Sequence, residues 1–186
     1  MVSLNIPAGL DVISSRPVIP SYRSPAEIQE RRRFVRLTRQ QQGLNIYLGM
    51  VVVSVEEVSR DDRNVINCML PPGCGEEPSV SSVDIIKAIE LLVNPPDCRL
   101  SIGEKNRIRR NIDTLRPTTL KKGDEGLNWI MQLRSPRPII IAKDVKIFKW
   151  DSLEAALVKI MNRYVSCGSP PVFWRQALTA NLVISE

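Results

Sequence analysis

The sequence predicts an α+β domain: a β-hairpin, or a three-stranded sheet if a third extended segment joins it, covered by about five helices. Two observations carry that expectation. LNIYLGMVVVSVEE (44–57) alternates Leu44, Ile46, Leu48, Met50 and Val52 on one side, the period of a strand. Several later stretches instead repeat apolar residues at helical spacing behind capping residues, with polar or Pro/Gly-rich breaks between them.

Residues 1–20 are largely apolar with scattered proline and no clear period, and read as a loosely held arm. Order is expected from Ser24-Pro25-Ala26-Glu27, where Ser24 and Glu27 form a capping box around Pro25. The helix is predicted to run to about Gln42 and to stop at Gly43, with Arg32, Arg36 and Arg39 on one side. The strand at 44–57 becomes apolar on both sides in its second half, which predicts burial at that end. VSRDDRN (58–64) is a turn and VINCML (65–70) the return strand of the hairpin. PPGCGEEPS (71–79) is a loop.

Helices are expected next at 82–94, with Ile86, Ile89 and Val93 inward, and at 101–116. The latter opens on the capping-box pair Ser101 and Glu104, aligns Ile108, Ile112 and Leu115, and ends at Pro117. DEGLNWIMQLR (124–134) packs Leu127, Ile130 and Met131 on one side, with Trp129 half-buried. Residues 136–150 are extended, and 151–165 form a helix with the stripe Leu153, Leu157, Ile160 and Tyr164. Beyond Cys167 the pattern fades, so residues 21–166 are read as one domain and 167–186 as a tail.

A chain of 186 residues is long enough to bury about 70% of its unfolded surface without metal or disulfides. Cys68, Cys74, Cys98 and Cys167 show no paired spacing and there is no histidine, so no metal site is expected; Cys68 and Cys98 read as small core side chains. The longest apolar run, 46–55, is far short of the ~18 residues of a membrane span, and the N-terminus lacks the basic start of a secretory signal. Without histidine, Ser-His-Asp and Cys-His nucleophiles are excluded. GCGEE (73–77) lacks the Lys-Ser/Thr of a phosphate loop. No enzyme, cofactor or small-molecule substrate is expected.

The net charge of +6 is concentrated: residues 21–42 carry +4 and residues 99–122 carry +6, leaving −4 for the remainder. Such asymmetry points to an anionic partner, although ordinary solvated faces look the same. On the helix 101–116, Asn106 and Arg110 lie opposite the apolar stripe, flanked by Arg107 and Arg109. Lys105, Arg107, Arg109, Arg110, Lys121 and Lys122 are the candidate DNA-binding residues, with Arg32, Arg36 and Arg39 adding backbone contacts. Helices 82–94 and 101–116 resemble a loose helix-turn-helix pair, but their link is longer than the usual 3–4 residues. No aromatic residue interleaves the charges, which argues against base stacking.

PAEIQERRRFVRLTRQQQG (25–43), VSSVDIIKAIELLV (80–93), EKNRIRRNIDTLRPTTLKK (104–122) and PRPIIIAKDVKIFKWDSLEAALVKIMNRY (136–164) resemble, in this order, the conserved domain of fungal Medusa-type developmental regulators. The resemblance implies a nuclear protein of transcriptional control in fungal development, such as sporulation, working with DNA and other transcriptional regulators. The alternative expectation is a protein-interaction module that recruits an acidic cofactor without touching DNA.

Overall fold

The computed structural model describes residues 24–42, 45–93, 100–138, 144–166 and 181–185. In chain order the elements are α1 (Pro25–Glu30), β1 (Arg32–Gln42), β2 (Asn45–Val53), β3 (Val65–Met69), β4 (Ser79–Ser81), α2 (Ser82–Val93), α3 (Ile102–Ile112), β5 (Thr118–Lys121), α4 (Glu125–Gln132), β6 (Asp144–Lys149), α5 (Ser152–Ser166) and β7 (Asn181–Ser185). Short 3₁₀ turns at Val55–Glu57 and Asp113–Leu115 follow β2 and α3. The α+β class holds, but the sheet is much larger than a hairpin or three strands. Its order is β5-β6-β4-β3-β1-β2-β7. Six strands are antiparallel to their neighbours, and β7 adds to β2 in parallel.

The first helix is shorter than its sequence predicts. The Ser24–Glu27 capping box forms, but Arg31 takes a left-handed conformation (φ 49°) and ends α1 after one and a half turns. From Arg32 onward the chain is a strand. RRFVRLTRQQQ holds Phe, Val and Thr in close succession, and its side chains part by twos: Val35 and Leu37 join the large core under α2 and α5, while Phe34 joins a smaller cluster with Val53 and Val65. Arg32, Arg36 and Arg39 therefore do not share a helix face. Arg36 follows Phe34, and Arg39 follows Leu37 onto the opposite side.

The pairing is corrected with it. The hairpin is β1–β2, with Phe34 opposite Val53 and Gln42 opposite Asn45. β3 does not return on β2 but pairs with the other edge of β1, placing Cys68 opposite Arg33. Thr38 faces Gly49 across the hairpin, and a Cβ at Gly49 would lie 2.4 Å from the Thr38 hydroxyl, so only glycine fits there without a shift. The end of β2 is also less buried than expected. Val53 is inside, but Val51 is 54% and Val52 38% exposed.

The large core lies between one face of the sheet and α2, α3 and α5. Leu153, Leu157 and Ile160 of α5 are fully buried, each contributing about 2 kcal/mol of apolar transfer energy. Ile86, Ile89 and Val93 of α2 point inward as expected, and Cys68 sits in the same cluster. A second cluster joins α4, β5 and β6 through Leu120, Leu127, Ile130, Val145 and Ile147, with Trp129 half-buried against it. Met131, expected in that core, is instead 45% exposed. The side chain of Tyr164, and Cys98, Cys167 and residues 1–20, lie outside what is described. The tail is not featureless, because 181–185 form β7.

β4 ends after three residues and the chain turns directly into α2, so among the described residues much of this edge of β3 has no strand beside it. Side chains from α2 close that gap. Asp84 Oδ2 accepts the Asn67 N–H at 3.4 Å, and Lys87 Nζ donates to the Val65 carbonyl at 3.4 Å. Buried backbone groups must find partners, and here a helix supplies what β4 is too short to give.

Candidate nucleic-acid interface

α3 is assembled by local and distant signals together. The Ser101 hydroxyl accepts the Glu104 N–H at 3.3 Å, and Glu104 Oε2 accepts the Ser101 N–H at 2.8 Å, so the capping box read from the sequence is present. Ile108 and Ile112 are fully buried in the large core, and Leu115 packs at its margin. That anchoring fixes which way the polar side turns. Arg107 and Arg110 are exposed and Arg109 is half-buried, its Nη1 donating to Asn106 Oδ1 at 2.9 Å. Arg109 and Arg110 also sit in the last turn, where cations complement the helix dipole.

Both flanks of α3 are tied to neighbours. Lys105 Nζ lies 2.8 Å from Glu90 Oε1 of α2, and the same oxygen accepts the Leu100 N–H at 3.1 Å. The Lys105 charge is thus partly balanced within the domain. At the other end, Lys146 of β6 pairs with Asp113 at 2.6 Å, and Lys159 of α5 donates to the Thr114 hydroxyl. The partner of Lys159 is uncharged, so this lysine adds a cation beside the C-terminal end of α3. Sequence reasoning missed it: position 159 joins 114 only through the packing of α5 on α3, and no local pattern signals that contact.

The remaining candidate residues do not join this surface equally. Lys121 and Lys122 are exposed at the end of β5 and its turn, which Asp124 closes by accepting the Lys121 N–H at 2.7 Å. Arg39 donates through Nε to the Leu92 carbonyl at 3.0 Å near the end of α2, and burial pulls its pKa below the usual guanidinium range. Arg36 lies on the other side of the sheet from the large core; its Nη2 donates to the Glu57 carbonyl at 2.7 Å and is 3.6 Å from Asp62.

Arg32 is not on the surface at all. It is 2% exposed, which removes it from any contact with a macromolecule. Its Nη1 donates to the Arg134 carbonyl at 2.9 Å and to Asn67 Oδ1 at 3.4 Å, its Nη2 pairs with Glu30 at 3.1 Å, and its guanidinium carbon lies 4.4 Å from the centre of the Phe34 ring. Burial lowers its pKa while Glu30 raises it, the first effect being the larger. Asp84, itself fully buried, completes the network by accepting from Asn67 Nδ2 at 3.2 Å and from Lys87 at 2.9 Å. These charges hold β1, β3, α2 and the segment after α4 together.

The molecule is therefore an α+β domain whose exposed basic helix is held on a helix-covered antiparallel sheet. It belongs to the DUF7082 family, a domain of unknown function, whose model matches residues 15–161. No curated protein and no solved structure matches the chain. Among the described residues, no cluster of three metal-ligating side chains occurs, and no helix is long and apolar enough to cross a membrane.

Proposed function

We propose that this chain is a nuclear, non-enzymatic regulatory domain of the Medusa-like kind, acting in the transcriptional control of fungal development and contacting DNA through the outer side of α3. One observation carries the reading: Ile108 and Ile112 are fully buried while Arg107 and Arg110, on the same helix, face solvent. Guanidinium groups on a helix anchored in this way can make charge-assisted, bidentate hydrogen bonds to backbone phosphates. Arg109, Lys121, Lys122 and Lys159 extend the contact, Lys105 contributes less because of Glu90, and Arg32 serves only the fold.

Phosphate contact positions a protein on DNA without reading sequence; base discrimination needs side chains that reach the groove. Selection from a random-sequence duplex pool with the full chain tests which applies. Enrichment of a defined sequence, lost in an Arg107→Ala/Arg110→Ala variant, supports readout by α3. Retention of DNA without enrichment supports phosphate contact alone. Failure to retain DNA, with capture of an acidic peptide by the same arginines, favours the protein-recruiting alternative, in which other regulators are the partners.

A further inference from the structure

α3 opens on an apolar side chain that the core does not use. Ile102 is 80% exposed, the most of any large apolar residue among those described. Asn106, also exposed, lies one turn further along the same side, because residues four apart on a helix stand one above the other. Its Oδ1 accepts from Arg109 Nη1, which uses one lone pair of the amide and leaves the second and the Nδ2 donors for another partner. Between the two lies Gly103, exposed in the first turn. Its backbone is not left-handed, and a Cβ there would meet nothing nearer than the Ser101 hydroxyl at 3.9 Å. Neither a turn nor internal packing asks for glycine at 103, and glycine weakens a helix relative to alanine. A surface that met phosphates alone would have no use for the isoleucine or for the missing side chain. Together they suit close approach of the helix backbone to a partner that displays an apolar group.

Resting on the DNA reading above, we propose that the N-terminal end of α3 is its base-reading end and enters the major groove. Gly103 lets the backbone in, Ile102 packs on the 5-methyl of a thymine, and Asn106 pairs with N6 and N7 of an adenine. The thymine methyl is the apolar group that base pairs display in that groove, and an asparagine amide matches the donor and acceptor of adenine. Ile102 and Asn106 are four residues apart, about 6 Å along the helix, so the two A·T pairs lie about two base-pair steps apart at roughly 3.4 Å each. Leading with the helix N-terminus is also how the second helix of a helix-turn-helix pair meets base edges. Arg107, Arg109 and Arg110, further along α3, stay on the phosphates. Glu104, the carboxylate nearest the reading end, is engaged by the Ser101 hydroxyl and N–H.

The test takes the duplexes that the full chain enriches from a random-sequence pool and replaces each thymine in turn by uracil, which lacks only the methyl. One such replacement is expected to weaken binding of the parent by about fourfold, the worth of one buried methyl, and to make no difference to Ile102→Ala. Asn106→Ala is expected to lose about tenfold of the preference for adenine at a position about two steps away. Gly103→Ala should keep or raise thermal stability, since alanine is the better helix former, while lowering affinity for the selected duplex. Residues 102, 103 and 106 are exposed, so circular dichroism should show all three variants folded. Retention of DNA without enrichment overturns this inference and leaves phosphate contact by α3 standing. So does enrichment with no uracil effect in the parent, or a uracil effect that survives Ile102→Ala. Failure to retain DNA at all overturns both readings.

Discussion

The carboxylate of Asp84, on the first turn of α2, accepts both the backbone N–H and the side-chain amide of Asn67 on β3, at 3.4 and 3.2 Å. The aspartate is fully buried, and Lys87 lies 2.9 Å away on the same helix. One side chain thus replaces the missing part of β4 and balances the charge brought inside by Arg32 and Lys87.

Asp84→Ala is expected to lower the unfolding free energy by about 3 kcal/mol, since it strands a buried amide and a cation at once. Urea denaturation followed by circular dichroism measures it. A loss under ~1 kcal/mol would mean that the network does not hold α2 on the sheet.

Arg32→Lys separates fold from function. Lysine keeps the charge but loses the planar fork that reaches Asn67, Glu30 and the Arg134 carbonyl, so stability should fall by about 2 kcal/mol. DNA affinity of the folded fraction should be unchanged, because residue 32 is buried. Parallel denaturation and anisotropy titrations check both halves.

The Glu27–Arg33 pair makes stability depend on pH. Burial opposes the Glu27 carboxylate, but hydrogen bonds from Arg33 and Ser24 outweigh it and hold its pKa below the ordinary value. A group with a depressed folded pKa contributes stability that is fully present above its unfolded value, about 4.3, and is lost as pH falls through the folded value. The parent should weaken through that acidic window, and Glu27→Gln should be less stable at neutral pH with a shallower acid limb. Identical acid limbs in the two proteins would remove the pair from the account.

Ser101→Ala removes one half of the α3 capping box and should cost about 1 kcal/mol. Because Ser101 and Glu104 are part of how the arginines are presented, the variant should also raise the exchange rate of amides in the first turn of α3. Unchanged exchange there would show that Ile108 and Ile112 alone set the helix.

How much of this was legible from the residues follows the range of the interactions. α2, α3 and α5 announce themselves through stripes and caps lying within a few turns, and Ile108, Ile112, Leu153, Leu157 and Ile160 are buried as read. The sheet was largely hidden. β4 and β5 span three and four residues, too few for a period, and the partner of β3 is decided by contacts with distant segments. β1 was concealed by a genuine capping box followed by arginines that look solvent-loving. Arg32 and Arg33 are buried because Glu27, Glu30, Asn67 and the Arg134 carbonyl converge on them from α1, β3 and the segment after α4. The basic side of α3 was readable because its apolar stripe orients it, whereas Lys159 arrives from α5 without any local sign.

The central claim is that the outer side of α3 meets phosphates, and the salt dependence of duplex binding measures it most directly. Fluorescence anisotropy of a labelled random-sequence duplex, titrated with the full chain over a range of salt, gives the slope of log affinity against log salt. The account predicts a steep negative slope in the parent, shallower by about 2–3 in an Arg107→Ala/Arg109→Ala/Arg110→Ala variant with its fold intact, and unaltered by Arg32→Lys. No binding by the parent at low salt, or the same slope in the triple variant, would contradict it.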